Sequence, residues 1–305
     1  MAQPRQPRSK KIGLALGGGG ARGLAHIGVL KVLAREGIPI DLMAGTSMGG
    51  LIAAIYGAGL SPEEMEAEAL RRSKTREIVK LVDLRPSGRG LVKGGLIYNL
   101  LANMLGNEVT FDALRLPIGL VAVDVWTGQE VILREGNVAD AVRATISFPG
   151  IFIPVELGPY KFVDGGTLNN VPVSAARQLG AQVVLAVDVL PNFRQNQPGQ
   201  PPVVQPLAPP RLPQAVKDFE HIAMIMVSAM TEYHLQIWKP DLVIRPDLPA
   251  DMDILMSFDR SAAAIEAGEK AARAALPEIQ AILDKVAHRK SKPIHENHSE
   301  LLDQE

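Results

Sequence analysis

Apolar residues along this chain follow two rhythms. Short apolar runs with little charge occupy Ile12–Leu16, Ile38–Ala44, Pro117–Val125, Gln182–Val189 and Asp241–Ile244. Runs of that length and composition suit strands buried on both faces. Gln129–Leu133 and Tyr160–Val163 are shorter β-type runs, and Trp126-Thr127-Gly128 joins the first of them to Pro117–Val125 as a strand pair. Between the strands, apolar positions recur every three or four residues. Leu24, Ile27, Leu30 and Ala34 line one helical face, with Lys31 and Arg35 on another. Leu51–Tyr56 lies in a stretch without charge through Gly59, which implies a helix buried all round. Ser61-Pro62-Glu63-Glu64 starts a helix with a serine cap, proline first and glutamate third, running to about Arg72. Val138–Ser147 predicts a further helix, and Asn169-Asn170-Val171-Pro172 opens another. Gln214–Trp238 carries Ile222, Met226 and Met230 at four-residue spacing, a stripe expected to fill the core. Ser261–Val286 is an Ala-rich helix interrupted or capped at Pro277. Strands alternating with helices predict an α/β fold whose mainly parallel sheet is covered on both faces.

Some stretches resist this reading. Arg85–Gly90 is loop-like. Leu91–Leu105 is apolar and lightly charged, suiting a short helix packed on the core, a mobile cover or an interfacial surface, with packing favoured because apolar stripes usually face a core. Eight prolines between residues 191 and 213 mark an extended, exposed loop or a disordered insertion. Residues 1–11 form a basic arm with Arg5, Arg8, Lys10 and Lys11, and residues 287–305 form a polar tail. The tail's His288, His295 and His298 lack the framework of a metal site.

Composition narrows the chemistry. The 305 residues, 47% of them hydrophobic, suffice for one large α/β domain or two small ones. The net charge of −1 gives no field that favours nucleic acid. With no cysteine, disulfides and thiolate catalysis are excluded. No apolar run approaches the roughly 18 residues of a spanning helix, and no apolar segment of a secretory signal follows the basic arm. The expected location is the cytoplasm, either free or held peripherally at a membrane.

Three polar or glycine-rich clusters interrupt the strands where ligands bind in such folds. Gly17-Gly18-Gly19-Gly20-Ala21-Arg22-Gly23 follows the first strand directly and precedes a helix. Such a loop exposes backbone N–H groups and favours negative charge. Gly18-x-Gly20-x-x-Gly23, with Asp41 about 20 residues on, fits a dinucleotide fingerprint. The oxyanion of an ester under attack is the competing ligand. It is favoured because the next strand ends in Gly45-Thr46-Ser47-Met48-Gly49, a serine turn that a nucleotide fold does not need. In Gly-x-Ser-x-Gly the serine hydroxyl is pushed out of a sharp strand-to-helix turn, although serine in that place also serves as an ordinary helix cap. Ser47 is the candidate nucleophile. None of the six histidines falls where a hydrolase would place its base. Asp164-Gly165-Gly166, at the end of a β-type run, supplies the candidate base. An aspartate there also suits a turn in which it caps its own backbone. A carboxylate of ordinary pKa, about 3.9, takes the serine proton only in concert with attack and with a well-stabilised oxyanion. Arg22 is expected to brace the glycine loop, and His26 to be a packed structural residue.

Taken in order, Gly18-Gly19-Gly20-Ala21-Arg22-Gly23, Gly45-Thr46-Ser47-Met48-Gly49 and Asp164-Gly165-Gly166 resemble the three signatures of the patatin-like phospholipase family. Ala144–Phe152 resembles the segment those proteins carry before their aspartate, and Pro240–Pro246 with the helix from Ser261 resembles the C-terminal part of small bacterial members. The resemblance covers residues 12–286. It implies a single catalytic domain with a motif-bearing core over 12–190, the Pro-rich loop over 191–213 and a C-terminal part over 214–286. It also implies a three-layer α/β/α sandwich and a serine lipid acyl hydrolase: phospholipase, lysophospholipase or esterase. Ser47 would be the nucleophile and Asp164 the base, with Gly18, Gly19 and Gly20 around the oxyanion hole. Arg22, Gly23, Gly45, Gly49, Gly165 and Gly166 would support the motifs. Such chemistry needs no metal and no cofactor. The implied partners are a lipid or fatty-acyl ester substrate and a peripheral membrane contact, without nucleic acid. Gly17 stands where plant patatins carry aspartate. Two other readings stay open, a nucleotide-binding oxidoreductase and a catalytically quiet lipid-binding regulator on the same fold.

Overall fold

The computed structural model describes residues 10–73, 84–87, 90–92, 94–106, 108–191, 214–249, 252 and 257–288. The basic arm before residue 10, the Pro-rich stretch from 192 to 213 and the tail after 288 lie outside the described residues.

The strands are β1 (Ile12–Leu16), β2 (Leu42–Thr46), β3 (Leu84–Ser87), β4 (Gly90–Val92), β5 (Ile118–Asp124), β6 (Gln129–Leu133), β7 (Val155–Leu157), β8 (Tyr160–Asp164), β9 (Val183–Val187) and β10 (Leu242–Ile244). The helices are α1 (Ala25–Arg35), α2 (Met48–Gly57), α3 (Pro62–Arg72), α4 (Gly95–Leu105), α5 (Val138–Thr145), α6 (Val173–Gln178), α7 (Gln214–Trp238) and α8 (Ser261–His288). β1, β2, β5 and β9 are buried at every residue, as strands covered on both faces must be. They make the centre of a sheet ordered β10-β9-β1-β2-β5-β8-β7, with β6 paired to β5. β10, β9, β1, β2 and β5 run parallel. From β5 onward the sheet is antiparallel, through β6, β8 and β7. β3 and β4 pair separately.

One helical layer holds α1, α2, α3, α5 and α8, and the other holds α6 and α7. The two cores separate cleanly by strand parity. Leu14, Leu16, Met43 and Leu120 face the first layer, whereas Ala15, Leu42, Ala44 and Val121 face the second. The first layer is clamped by α8 against α1. A Cβ on Gly28 would stand 1.9 Å from the Ile265 carbonyl oxygen, and one on Gly268 1.9 Å from that of Ala25. Two facing glycines therefore let the helix backbones touch. Lys31, on another face of α1 than the apolar stripe, is buried in this layer and pairs with Glu66 of α3 at 2.6 Å and with Glu269 of α8.

Several boundaries differ from the sequence reading. α8 continues through Pro277 as one helix. α4 begins at Gly95, with Ala102 buried and Leu96 exposed. The stripe of α7 is turned round. Ile222, Met226 and Met230 face solvent, and Met224, Thr231 and Leu235 face the protein. The cause is that α7 is apolar on both sides, so periodicity alone does not say which stripe packs.

Candidate active site

The pairing of β5 decides what meets at the carboxyl end of the sheet. On one edge β5 pairs with β6. On the other edge its lower half takes β2, up to Thr46 opposite Val121, and its upper half takes β8, down to Asp164 opposite Ala122. β2 rises and β8 descends along the same edge, and they stop head to head at successive residues of β5. That register leaves about one strand step, roughly 3.3 Å, between the two strand ends. Ser47 follows Thr46 at this junction, and the sequence expectation of a carboxylate at a strand end is met by a descending, antiparallel strand.

Ser47 leaves the sheet with φ 53° and ψ −124°. Positive φ is uncommon for a residue with a side chain and marks a sharp strand-to-helix turn at Ser47. Its hydroxyl makes no cap bond to α2, so the ordinary-cap reading is not the one realised. The hydroxyl lies near enough to the Asp164 carboxyl to favour its charged form. The Ser47 N–H donates to Thr145 Oγ1 at 2.9 Å, and the Thr145 hydroxyl donates to the Val121 carbonyl. Thr145, at the end of α5, thus fixes the strained residue to β5.

Asp164 is buried and accepts the Gly166 N–H at 2.8 Å, and its own N–H donates to the Ser147 carbonyl at 2.9 Å. The turn-capping role and the contact with serine therefore coexist in one carboxyl group. Burial raises its pKa from 3.8 to about 7, against the opposing effect of the Ser47 and Gly166 hydrogen bonds. A carboxylate so destabilised is a far stronger base than an exposed one.

The chain beyond Asp164 crosses the ends of three strands in turn. Gly165 lies against the Val121 carbonyl of β5. The Asn169 carbonyl accepts the Thr46 hydroxyl of β2 at 2.9 Å. Asn170 reaches the glycine loop after β1, where its carbonyl accepts the Gly18 N–H and its Nδ2 donates to the Gly18 carbonyl, both at 3.1 Å. A Cβ on Gly18 would come within 3.0 Å of Ser47 Cβ and 2.6 Å of Asn170 Oδ1, so only glycine lets the loop lie this close to the serine. The Gly18 N–H is occupied by Asn170, whereas those of Gly19 and Gly20 have no partner among the described residues.

Arg22 is buried. It donates to the carbonyls of Val189 at 2.8 Å and Met252 at 3.1 Å, and burial lowers its pKa to about 10. His26 is also buried. Its Nε2 bonds to the Gly17 carbonyl at 2.7 Å, Nδ1 has no partner among the described residues, and burial lowers its pKa to about 4, so it stays neutral. Gly23 packs on Met48, Gly49 on the Leu16 carbonyl, and Gly45 on Gly50, which seats α2 over the end of β1. Asp41 does not suit a ribose. It precedes β2, at the amino end of the sheet, where Oδ2 accepts the Ile12 N–H at 2.7 Å. Sequence reasoning passed over Thr145, Asn169 and Asn170 as site-building residues. The asparagine pair after Asp164-Gly165-Gly166 was the available signal, since each can bind backbone on both sides. A cavity of about 640 Å³ lies elsewhere, between β6, α6 and α7, lined by Glu130, Ser174 and His234 among others.

The family model for patatin-like phospholipases matches residues 14–177, more than half of the chain. This chain belongs to the patatin-like phospholipase family. The matched span runs from the glycine loop to α6 and contains all three clusters just described. Among its relatives is an uncharacterised NTE family protein of Mycobacterium tuberculosis, 32% identical over 90% of this chain and 48% of that one. The patatin-like phospholipase domain-containing protein 6 of Mus musculus is 34% identical over 58% of this chain and 13% of that one. The chain thus spans about half the length of its mycobacterial relative. The crystal structure of VipD from Legionella pneumophila covers 90% of this chain and 67% of that one, with a TM-score of 0.48 and 12% identity.

Proposed function

We propose that this patatin-like protein hydrolyses the carboxylic ester of a lipid through an acyl-enzyme, with Ser47 as nucleophile and Asp164 as its base. The observation that supports this reading is the head-to-head meeting of β2 and β8 on one edge of β5, which brings the end of the strand before Ser47 up to the buried Asp164. Ser47 Oγ attacks the ester carbonyl as its proton passes to Asp164. The N–H groups of Gly19 and Gly20 receive the oxyanion, while Gly18, its own N–H bound to Asn170, holds the loop against the serine. Collapse of the intermediate breaks the ester C–O bond, and Asp164 returns the proton to the departing alcohol. Water then attacks the acyl-serine, giving a proton to Asp164 and its oxygen to the fatty acid, and Ser47 leaves with the proton. Phospholipids, lysophospholipids and simpler acyl esters all present the bond this machinery cleaves.

The test is hydrolysis of a short p-nitrophenyl ester and of a phospholipid panel. Ser47→Ala and Asp164→Asn are each expected to lower kcat by roughly a thousandfold or more with the fold intact. The rate should rise with pH through about 7 as Asp164 ionises. Near-wild-type rates in either variant would dismiss the dyad. Failure of a fluorophosphonate to label Ser47 would point instead to a quiet lipid-binding member of the family.

A further inference from the structure

The antiparallel half of the sheet rises past the site. Val121 of β5 is level with the end of β2, and the β5–β6 turn begins at Val125, four residues higher, or roughly 13 Å along the strand. The turn carries Val125 and Trp126, both exposed, and Trp126 keeps 72% of its surface in solvent. Beside it on β8 stand Tyr160, also exposed, and Lys161, whose ammonium lies 5.3 Å from the centre of the Trp126 ring. The Val125 N–H donates to the Lys161 carbonyl at 2.8 Å, so the turn and the strand form one tip.

That tip is rigidly built. The buried Asp124 carboxylate accepts four donors: the N–H groups of Trp126, Thr127 and Lys161 and the Thr127 hydroxyl, at 2.8–3.4 Å. A braced turn that holds a tryptophan mostly out in water costs solvation free energy, and within the described residues only the Lys161 contact offsets that cost. Tryptophan and tyrosine, with apolar bodies and one polar atom each, are the side chains that suit the boundary between water and lipid. The charges at the tip nearly balance. Lys161 faces Glu156 at 3.5 Å, and Asp124 is enclosed by its donors. A surface of strongly one sign is therefore not what the tip matches.

We infer that Val125, Trp126 and Tyr160 form a wedge that enters the headgroup region of a phospholipid bilayer and sets the mouth of the Ser47 site against the membrane. This inference rests on the lipid-ester reading, which makes a bilayer the source of the substrate. Insertion is driven by the aromatic and apolar side chains, so binding to zwitterionic vesicles changes little with salt.

The experiment uses the full chain carrying Ser47→Ala, so that no lipid is consumed, and Trp238→Phe, so that Trp126 is the only tryptophan. Trp238 ends α7, just before β10 begins at the opposite, amino edge of the sheet. With phosphatidylcholine vesicles, Trp126 emission is expected to shift to the blue, and the protein should float with the vesicles at low and high salt alike. Adding Trp126→Ala should weaken this association about tenfold or more, as expected for losing one large side chain from an apolar setting. Unshifted emission, absent flotation or an unchanged affinity in the alanine variant would each overturn the wedge. So would a dimer that Trp126→Ala converts to monomer, which would make a second copy the occupant. A separate assay of otherwise wild-type and Trp126→Ala proteins on the soluble ester shows whether the site is intact. Esterase activity without vesicle binding defeats the wedge alone, and vesicle binding without Ser47-dependent esterase activity defeats the catalytic reading alone.

Discussion

Asp164, the proposed base, concentrates the tension between folding and the chemistry proposed for it in a single side chain. Its carboxyl sits at about 7 in the fold, against 3.8 in an exposed setting, because burial penalises the charge more than Ser47 and Gly166 repay it by hydrogen bonding. A carboxyl whose folded pKa lies above its unfolded one keeps its proton in the fold where the unfolded chain has lost it. Its contribution to stability is fully present below about pH 4 and is lost as the pH rises through about 7. The protein at pH 8 therefore carries a charge its interior resists. In Asp164→Asn the amide oxygen still accepts the Gly166 N–H and the amide nitrogen can donate to Ser47 Oγ. That variant is expected to be more stable than the native protein at pH 8, by on the order of 4 kcal/mol, and to lose the advantage near pH 4. Thermal melts at the two pH values check this. A variant less stable at pH 8, or equally stabilised at both, would mean that burial does not strain the carboxylate. His26 has the opposite sense. Its pKa is depressed to about 4, so its contribution is present above about 6.5 and lost as the pH falls through 4.

At the scale of elements, α7 shows how little a periodic pattern fixes when both sides of a helix are apolar. The stripe of Ile222, Met226 and Met230 is as regular as any in the chain, yet Met226 keeps 66% of its surface in water. Leu235 packs instead against the small side chains beneath α6 and β9, in the core that contains Ala175, Ala176 and Ala186. The two faces should respond differently to substitution. Met226→Lys is expected to change stability by no more than about 0.5 kcal/mol, as exposed positions do. Leu235→Ala should cost about 2–5 kcal/mol, the range for emptying a core site. Urea denaturation distinguishes them, and a large loss from Met226→Lys would show that its face is covered in solution. The strands were easier to read than this helix, because an uncharged run between glycine turns has few alternatives in an α/β chain. What the run could not tell was direction. Tyr160–Val163 reads the same whether it rises beside its neighbour or descends, and only the ladder shows that β8 descends.

Taken whole, the molecule gathers the three motif clusters at one edge of the sheet, and the legible part of the sequence was the part with local causes. The glycine loop, the serine turn and the Asp164 turn each need particular residues at fixed spacing, so Gly18–Gly23, Gly45–Gly49 and Asp164–Gly166 stand out in the chain. The ties between them are long-range and leave no periodic trace. Thr145 meets Ser47 from 98 residues away, and Asn170 meets Gly18 from 152. Asn170 is the tie on which the assembly turns, because it joins the segment that carries Asp164 to the loop proposed to carry the oxyanion donors. In Asn170→Ala the backbone bond from the Gly18 N–H survives, but the Gly18 carbonyl loses its donor and the amide that fills the space beside Gly18 and Gly166 is gone. The loop should then hold Gly19 and Gly20 less firmly against the place where charge develops. The expected outcome is a fall in kcat on the soluble ester of roughly ten- to a hundredfold with KM little changed, because the donors act on the transition state more than on the bound ester. Fluorophosphonate labelling of Ser47 should slow in parallel, since that reaction also develops charge on an oxygen in the loop. The acid limb of the rate should remain near pH 7, because Asp164 keeps both of its own hydrogen bonds. A shifted limb with unchanged kcat would move Asn170 from the glycine loop to the carboxylate, and no change in any of the three would show that the loop keeps its place by other means.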